Sequence, residues 1–195
     1  MHVPASIADR IMPRVLAHAR RQPTRRPLVV EHHLHGVTPE QLSWWWGHID
    51  TTARYQRWHP RDHLRFAWEV PPDGTHIGAI QVVRTMLGAM PTTLRVRFDD
   101  PAGIKTAFSH ILAATVIDAQ GQGIMRWTHA YDAVAGGTRM RSTFHLPPLL
   151  YVLLGMGLRQ HNREEMANLS HFLPTIYAQE RTALSRPEEP KETRP

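Results

Sequence analysis

Leu158-Arg159-Gln160-His161-Asn162-Arg163-Glu164-Glu165-Met166-Ala167-Asn168-Leu169-Ser170-His171-Phe172 is the stretch on which the reading of this chain turns. At about 100° per residue, Leu158, His161, Glu165, Leu169 and Phe172 fall on one stripe of a helix. Gln160, Arg163, Glu164, Ala167 and His171 fall on the opposite side. An imidazole and a carboxylate therefore point where the apolar side chains point. A buried carboxylate without partners is costly. The pair calls for a metal ion, a buried hydrogen-bond network, or a ligand in a cavity. The plainest form of the network is an i,i+4 pair capped by an arginine such as Arg141.

The helical pattern around this stretch runs over 149–184, with a break expected at Pro174. Upstream, alternation and branched residues predict strands over 28–35, 63–70, 76–86, 92–98, 106–117, 124–134 and 138–146. Gly136-Gly137 supplies the turn before the last of these. In the strand over 63–70, Leu64, Phe66, Trp68 and Val70 share one face, and His63, Arg65, Ala67 and Glu69 the other. His32, His33 and His35 are expected on an exposed strand face. Thr38-Pro39-Glu40-Gln41 is a helix start with N-cap, first-turn proline and capping box. Leu42, Trp45, Trp46 and Ile49 follow as its buried face, and a second short helix is expected over 50–57. The order is strand, two short helices, consecutive antiparallel strands, long helix. That is an α+β, Bet v 1-like helix-grip architecture: a curved antiparallel sheet wrapped on a C-terminal helix, with a cavity between them. The domain is expected over 25–184. An N-terminal arm over 1–24, interrupted at Pro13, precedes it, and a proline- and charge-rich disordered tail over 185–195 follows.

Composition narrows the chemistry. A length of 195 residues suits one core. The absence of cysteine excludes disulfides, thiolate zinc sites and a cysteine nucleophile. Any metal site must use imidazole and carboxylate, which suits zinc or another divalent first-row metal. No span reaches the roughly 20 apolar residues of a membrane helix, and no signal-peptide pattern opens the chain, so a cytoplasmic location is the default expectation. The net charge of +6 is carried almost wholly by arginine, densest over 20–26. The remaining arginines are scattered and the tryptophans sit in a helix pattern, which argues against a nucleic-acid interface.

Three segments carry a family likeness. The first is Gly36-Val37-Thr38-Pro39-Glu40, Trp44-Trp45-Trp46 and Tyr55-Gln56-Arg57-Trp58-His59-Pro60-Arg61-Asp62-His63. The second is His129-Ala130-Tyr131-Asp132 with Met140-Arg141-Ser142-Thr143-Phe144. The third is His161-Asn162-Arg163-Glu164-Glu165 followed by Leu173-Pro174. In this order they resemble the 2,4-diacetylphloroglucinol hydrolase family, Bet v 1-like zinc-dependent hydrolases that cleave a carbon–carbon bond of an acylated phloroglucinol. The resemblance implies that Zn2+ is held by His63, His161 and Glu165. It implies that Tyr55 and His129 contact the substrate's phenolic oxygens as catalytic residues, with Phe66 and Phe144 also lining the substrate pocket. Two positions depart from the family. Val82-Val83-Arg84-Thr85-Met86-Leu87-Gly88 holds no acid where the family has a further metal-binding glutamate, and Phe144 stands where a tyrosine is expected. Two imidazoles and one carboxylate with an open position still make a recognised catalytic zinc site.

His59 is read as orienting the turn before Pro60, with a rival role as a ligand. The expected partner is a small aromatic or polyphenolic molecule, and a homodimer is left open. Two functions compete: a metal-dependent hydrolase of an acylated polyphenol or related β-diketone, and a metal-free carrier of a small aromatic ligand. The direction of Arg84 separates them. Pointed inward it pairs with Glu165 and excludes a cation; pointed outward it leaves the site to a metal.

Overall fold

The computed structural model describes residues 7–88 and 90–184. Its elements are α1 (Ile7–Arg20), β1 (Arg26–His35), α2 (Pro39–His48), α3 (Thr52–Trp58), β2 (His63–Val70), β3 (Ile80–Leu87), β4 (Met90–Asp99), β5 (His110–Ile117), β6 (Gly123–Val134), β7 (Gly137–Leu146) and α4 (Pro148–Leu184). The strands form one antiparallel sheet in the order β1-β7-β6-β5-β4-β3-β2. Residues 1–6 and the tail over 185–195 lie outside the described residues, so the expected tail disorder does too. No helix among the described residues is long and apolar enough to cross a membrane.

Alternation sets the inner face. Leu28, Val30 and Leu34 of β1, Leu94, Val96 and Phe98 of β4, and Met140, Phe144 and Leu146 of β7 are all buried. They meet Met166, Leu169 and Leu173 of α4 in one core. Arg95 and Arg97 take the other face of β4, where Arg95 Nε donates to Glu69 of β2 at 2.8 Å. The chain crosses from edge strand β1 to edge strand β2 through α2 and α3. The start of α2 is as its sequence dictates: Thr38 Oγ1 accepts from Gln41 N–H at 3.2 Å and Gln41 Oε1 accepts from Thr38 N–H at 3.0 Å. At the β6–β7 turn, a Cβ on Gly137 would lie 2.1 Å from the Leu34 carbonyl oxygen, so no other residue fits there.

Several expectations are corrected. Pro13 and Pro174 interrupt neither helix: α1 and α4 are continuous through them. A helix-interior proline costs about 3 kcal/mol, whereas burying one large aliphatic side chain returns about 1.5–3 kcal/mol. Leu169, Leu173 and Ile176 around Pro174, and Met12 beside Pro13, are buried. The strands expected over 76–86 and 106–117 begin later, at Ile80 and His110. Gly78, with φ 85°, turns the chain just before Ile80.

The most consequential difference is a β-bulge. Along β2, His63 pairs with Thr85 and Arg65 with Arg84, so Leu64 is an extra residue. His63 therefore joins Phe66 on the inner face instead of lying opposite it, and both are buried.

Candidate metal centre

Three side chains converge inside the grip. His63 comes from the start of β2, and His161 and Glu165 come from successive turns of α4. His63 Nε2 and His161 Nε2 each lie 3.5 Å from Glu165 Oε2, and the three ligand atoms fall within 4.8 Å of one another. Donors held tetrahedrally at zinc–ligand distances of about 2.0–2.1 Å are separated by roughly 3.3 Å, so the set fits a first-row divalent ion.

The surroundings fix these donors. His63 Nδ1–H donates to the Tyr55 carbonyl at 2.9 Å, and the Tyr55 ring stacks on His63 with centroids 3.8 Å apart and planes 1° from parallel. His161 Nδ1–H donates to Asp62 Oδ2 at 3.0 Å. Each imidazole thus has its Nδ1 occupied and its Nε2 turned toward Glu165, the outer support that metal-binding histidines use. Glu165 Oε1 accepts from Asn162 Nδ2 at 2.8 Å. Burial alone would lower the His161 pKa, but the Glu165 and Asp62 carboxylates raise it to about 9. Burial would likewise raise the Glu165 carboxyl, and His161 and His63 instead hold it well below its ordinary value. Asp62 is pulled down to about 2 against its own desolvation by Arg61, His161 and His59. In the metal-free protein a proton occupies the place a cation would take.

Asp62 was not picked out from the sequence, although it directly precedes His63 in the quoted motif. As the anchor of His161, its replacement by asparagine is expected to weaken zinc affinity by about 10–100-fold. Competition with a chromogenic chelator measures this, and an unchanged affinity would remove Asp62 from the centre.

His59 takes the turn-orienting role. Its Nδ1 accepts from Asp62 N–H at 3.3 Å and its ring stacks on His161 at 4.5 Å. His59, Asp62 and His161 form a second donor group, but there Asp62 is hydrogen-bonded to His161 and serves as a support. The Arg141 cap is not formed: Arg141 pairs with Glu31 at 2.6 Å. Arg84 points outward, with its guanidinium 3.4 Å from Thr93 Oγ1. The inward position is Thr85, whose hydroxyl donates to the Asp62 carbonyl at 3.1 Å and also interacts with the Tyr55 phenol.

The aromatic residues gather beside the ligands. Tyr55, Phe66, His129 and Phe144 are all buried. Phe66 lies 5.8 Å from Tyr55, and Phe144 meets His129 edge-on at 6.3 Å. Burial raises the Tyr55 phenol above its ordinary pKa and lowers His129 to about 4. His129 Nδ1 lies 2.9 Å from Ser142 Oγ. His32 is corrected from the exposed face: it is half-buried, with Nε2 2.9 Å from Asn162 Oδ1 and 3.1 Å from Ser142 Oγ, while His33 and His35 are exposed. The β1 alternation of Leu28, Val30 and Leu34 carries His32 inward with it.

A neutral buried histidine has a pH signature. The unfolded chain protonates His129 near 6.5 and the folded one near 4, so stability falls as pH drops through that window. The contribution is about 3 kcal/mol. Denaturation of a His129→Gln variant is expected to show a correspondingly flatter acid limb, and an identical limb would contradict the neutral assignment.

A sheet gripping a helix that carries this donor set defines the class. The Bet v 1-like fold is shared with Ara h 8.0201, 14% identical, with 77% of this chain and 99% of that chain covered and a TM-score of 0.52. It is shared also with protein NE0264 from Nitrosomonas europaea, 14% identical, with 78% and 96% covered and a TM-score of 0.53. These likenesses show the fold alone. The sequence is more particular: the DAPG hydrolase PhiG domain matches residues 27–152, and the chain belongs to that family. His63 lies inside the matched segment, and His161 and Glu165 lie just beyond it. The chain is also similar to the phloretin hydrolase of Eubacterium ramulus, 26% identical over 185 residues, with 75% of this chain covered. It spans 65% of that relative's length.

Proposed function

We propose that this protein is a metal-dependent hydrolase that cleaves the carbon–carbon bond between an acyl group and the ring of an acylated polyphenol, or the equivalent bond of a β-diketone. The observation that carries the reading is the pair of imidazoles with Nδ1 tied down and Nε2 turned to one carboxylate. His63, His161 and Glu165 would hold zinc or a similar ion. Bound there, the ion supplies Lewis-acid activation of a carbonyl and of water near neutral pH.

The chain's own groups account for the rest. The buried walls keep bulk water from the site. Tyr55, kept protonated by burial, and neutral His129 are hydrogen-bond donors for the phenolic or enolate oxygen on which charge develops as the bond breaks. Overall, the hydroxyl of water joins the acyl carbon and its proton goes to the ring carbon. The products are a carboxylic acid and the deacylated ring. The cavity that reaches His161 is small, about 30 Å³, and aliphatic, lined by Leu94, Val116, Ile124, Leu150 and Leu154. It suits the end of a short acyl arm. Arg84, turned toward Thr93, does not pair with Glu165, which favours the metal-dependent reading, while the missing family acid remains the argument for a metal-free carrier.

The test is elemental mass spectrometry of the purified chain, followed by a screen of acylated phenols with the zinc-loaded protein. Near-stoichiometric metal and release of carboxylate, followed by NMR, are expected. No retained metal after zinc is supplied, or phenols bound and returned intact, would refute the hydrolase.

A further inference from the structure

The buried polar chain between Glu165 and His129 has a direction. A carboxylate oxygen can only accept, so Glu165 Oε1 takes an N–H of Asn162 at 2.8 Å. That orientation turns the Asn162 carbonyl to His32 Nε2 at 2.9 Å, and His32 Nε2 must therefore carry a hydrogen. The same N–H faces Ser142 Oγ at 3.1 Å, so the serine oxygen accepts on that side. Its own hydrogen is then left for His129 Nδ1 at 2.9 Å. His129 is thereby the tautomer with Nδ1 bare and the hydrogen on Nε2. With the other His129 tautomer, Ser142 Oγ would accept from both imidazoles and its own hydrogen, fully buried, would be left without either of them as acceptor.

We propose that Asn162, His32 and Ser142 are positioning residues that transmit the orientation of Glu165 to His129, fixing it as an Nε2–H donor for the substrate oxygen. The use of that donor rests on the hydrolase reading; the tautomer does not. The chain links four elements, from α4 through β1 and β7 to β6. Ser142 and Asn162 are fully buried, which leaves water no route to substitute for a missing link.

The experiment is long-range 1H–15N correlation NMR on the full-length zinc-supplemented protein labelled at histidine. His129 and His32 are assigned from His129→Gln and His32→Gln variants. Both rings are expected as the Nε2–H tautomer. Ser142→Ala should convert His129 to a mixture of tautomers, and Ser142→Thr should restore the single form. Asn162→Ala should scramble His32 while leaving the chain folded by circular dichroism. On any acylated phenol that is turned over, Ser142→Ala is expected to lower kcat about tenfold at unchanged KM. An Nδ1–H tautomer at His129 in the wild type, a tautomer untouched by Ser142→Ala, or an unchanged kcat would overturn the proposal. Because the NMR readout needs no substrate, a chain without hydrolase activity would sink the functional reading while leaving the tautomer relay to be decided by itself.

Discussion

With His63, His161 and Glu165 as the proposed metal ligands, replacement of His161 by alanine is expected to abolish metal retention. The residue gives one of three donors, and it is the one that Asp62 anchors at 3.0 Å. Removing an outer partner alone costs up to about 100-fold in affinity, so loss of a ligand should exceed that and bring zinc per chain to background. Activity should vanish with it. Glu165→Gln is the milder companion, since an amide keeps the shape but not the charge. His171→Ala, on the exposed face of the same helix, is the control and should retain full zinc. The metal-free proteins should also differ in pH dependence. With its pKa raised to about 9, His161 contributes stability that is complete below about 6.5 and is lost as pH rises through 9. The alanine variant should lack that alkaline decline. Stoichiometric zinc in His161→Ala would mean the ion sits elsewhere.

Trp45→Ala is expected to be the most destabilising single change in the fold. The side chain is fully buried on α2 and meets Phe172 of α4 edge-on, with ring centroids 5.1 Å apart and planes at 68°. Truncating a buried tryptophan costs about 3–5 kcal/mol through lost transfer energy and the cavity left behind. Against a typical total of about 5–15 kcal/mol, the urea midpoint should drop sharply while the slope holds. Because α2 and α3 carry the chain toward Tyr55 and His63, zinc affinity should weaken as well. A loss below about 1 kcal/mol would mean that the α2–α4 contact is loosely packed.

The element order, the capped start of α2 and the inward stripe of α4 could all be read from the chain, because each is a local pattern of period two or 3.6. His161 and Glu165 were legible for the same reason. What escaped depended on partners far away in sequence. His32 looked like one of three surface histidines, and its role appears only with Asn162, 130 positions later. Asp62 has no reading of its own in the sequence beyond preceding His63, and its role appears only where α4 brings His161 onto it. Pro13 and Pro174 carry a real local penalty that burial on either side outweighs. The face of His63 could not be read by alternation, since a bulge is a property of two paired strands and not of one. The resemblance implied a ligand at His63, and the bulge brings it to the inner face that its periodicity denied it.

Leu64 shows what this implies about how such a site is inherited. Iron the bulge out into a regular ladder, with every residue of β2 retained, and the imidazole at its head would turn to the face opposite Phe66. The pairing sets the parity: loss of Leu64 would leave a regular strand with the histidine two positions from Phe66 and still on its face. A lineage can retain every ligand by identity and still lose the centre, and a comparison of letters in a column would not reveal it. Residue spacing read together with the presence of a bulge before Phe66 is the more discriminating test of which relatives keep the histidine on the inner face.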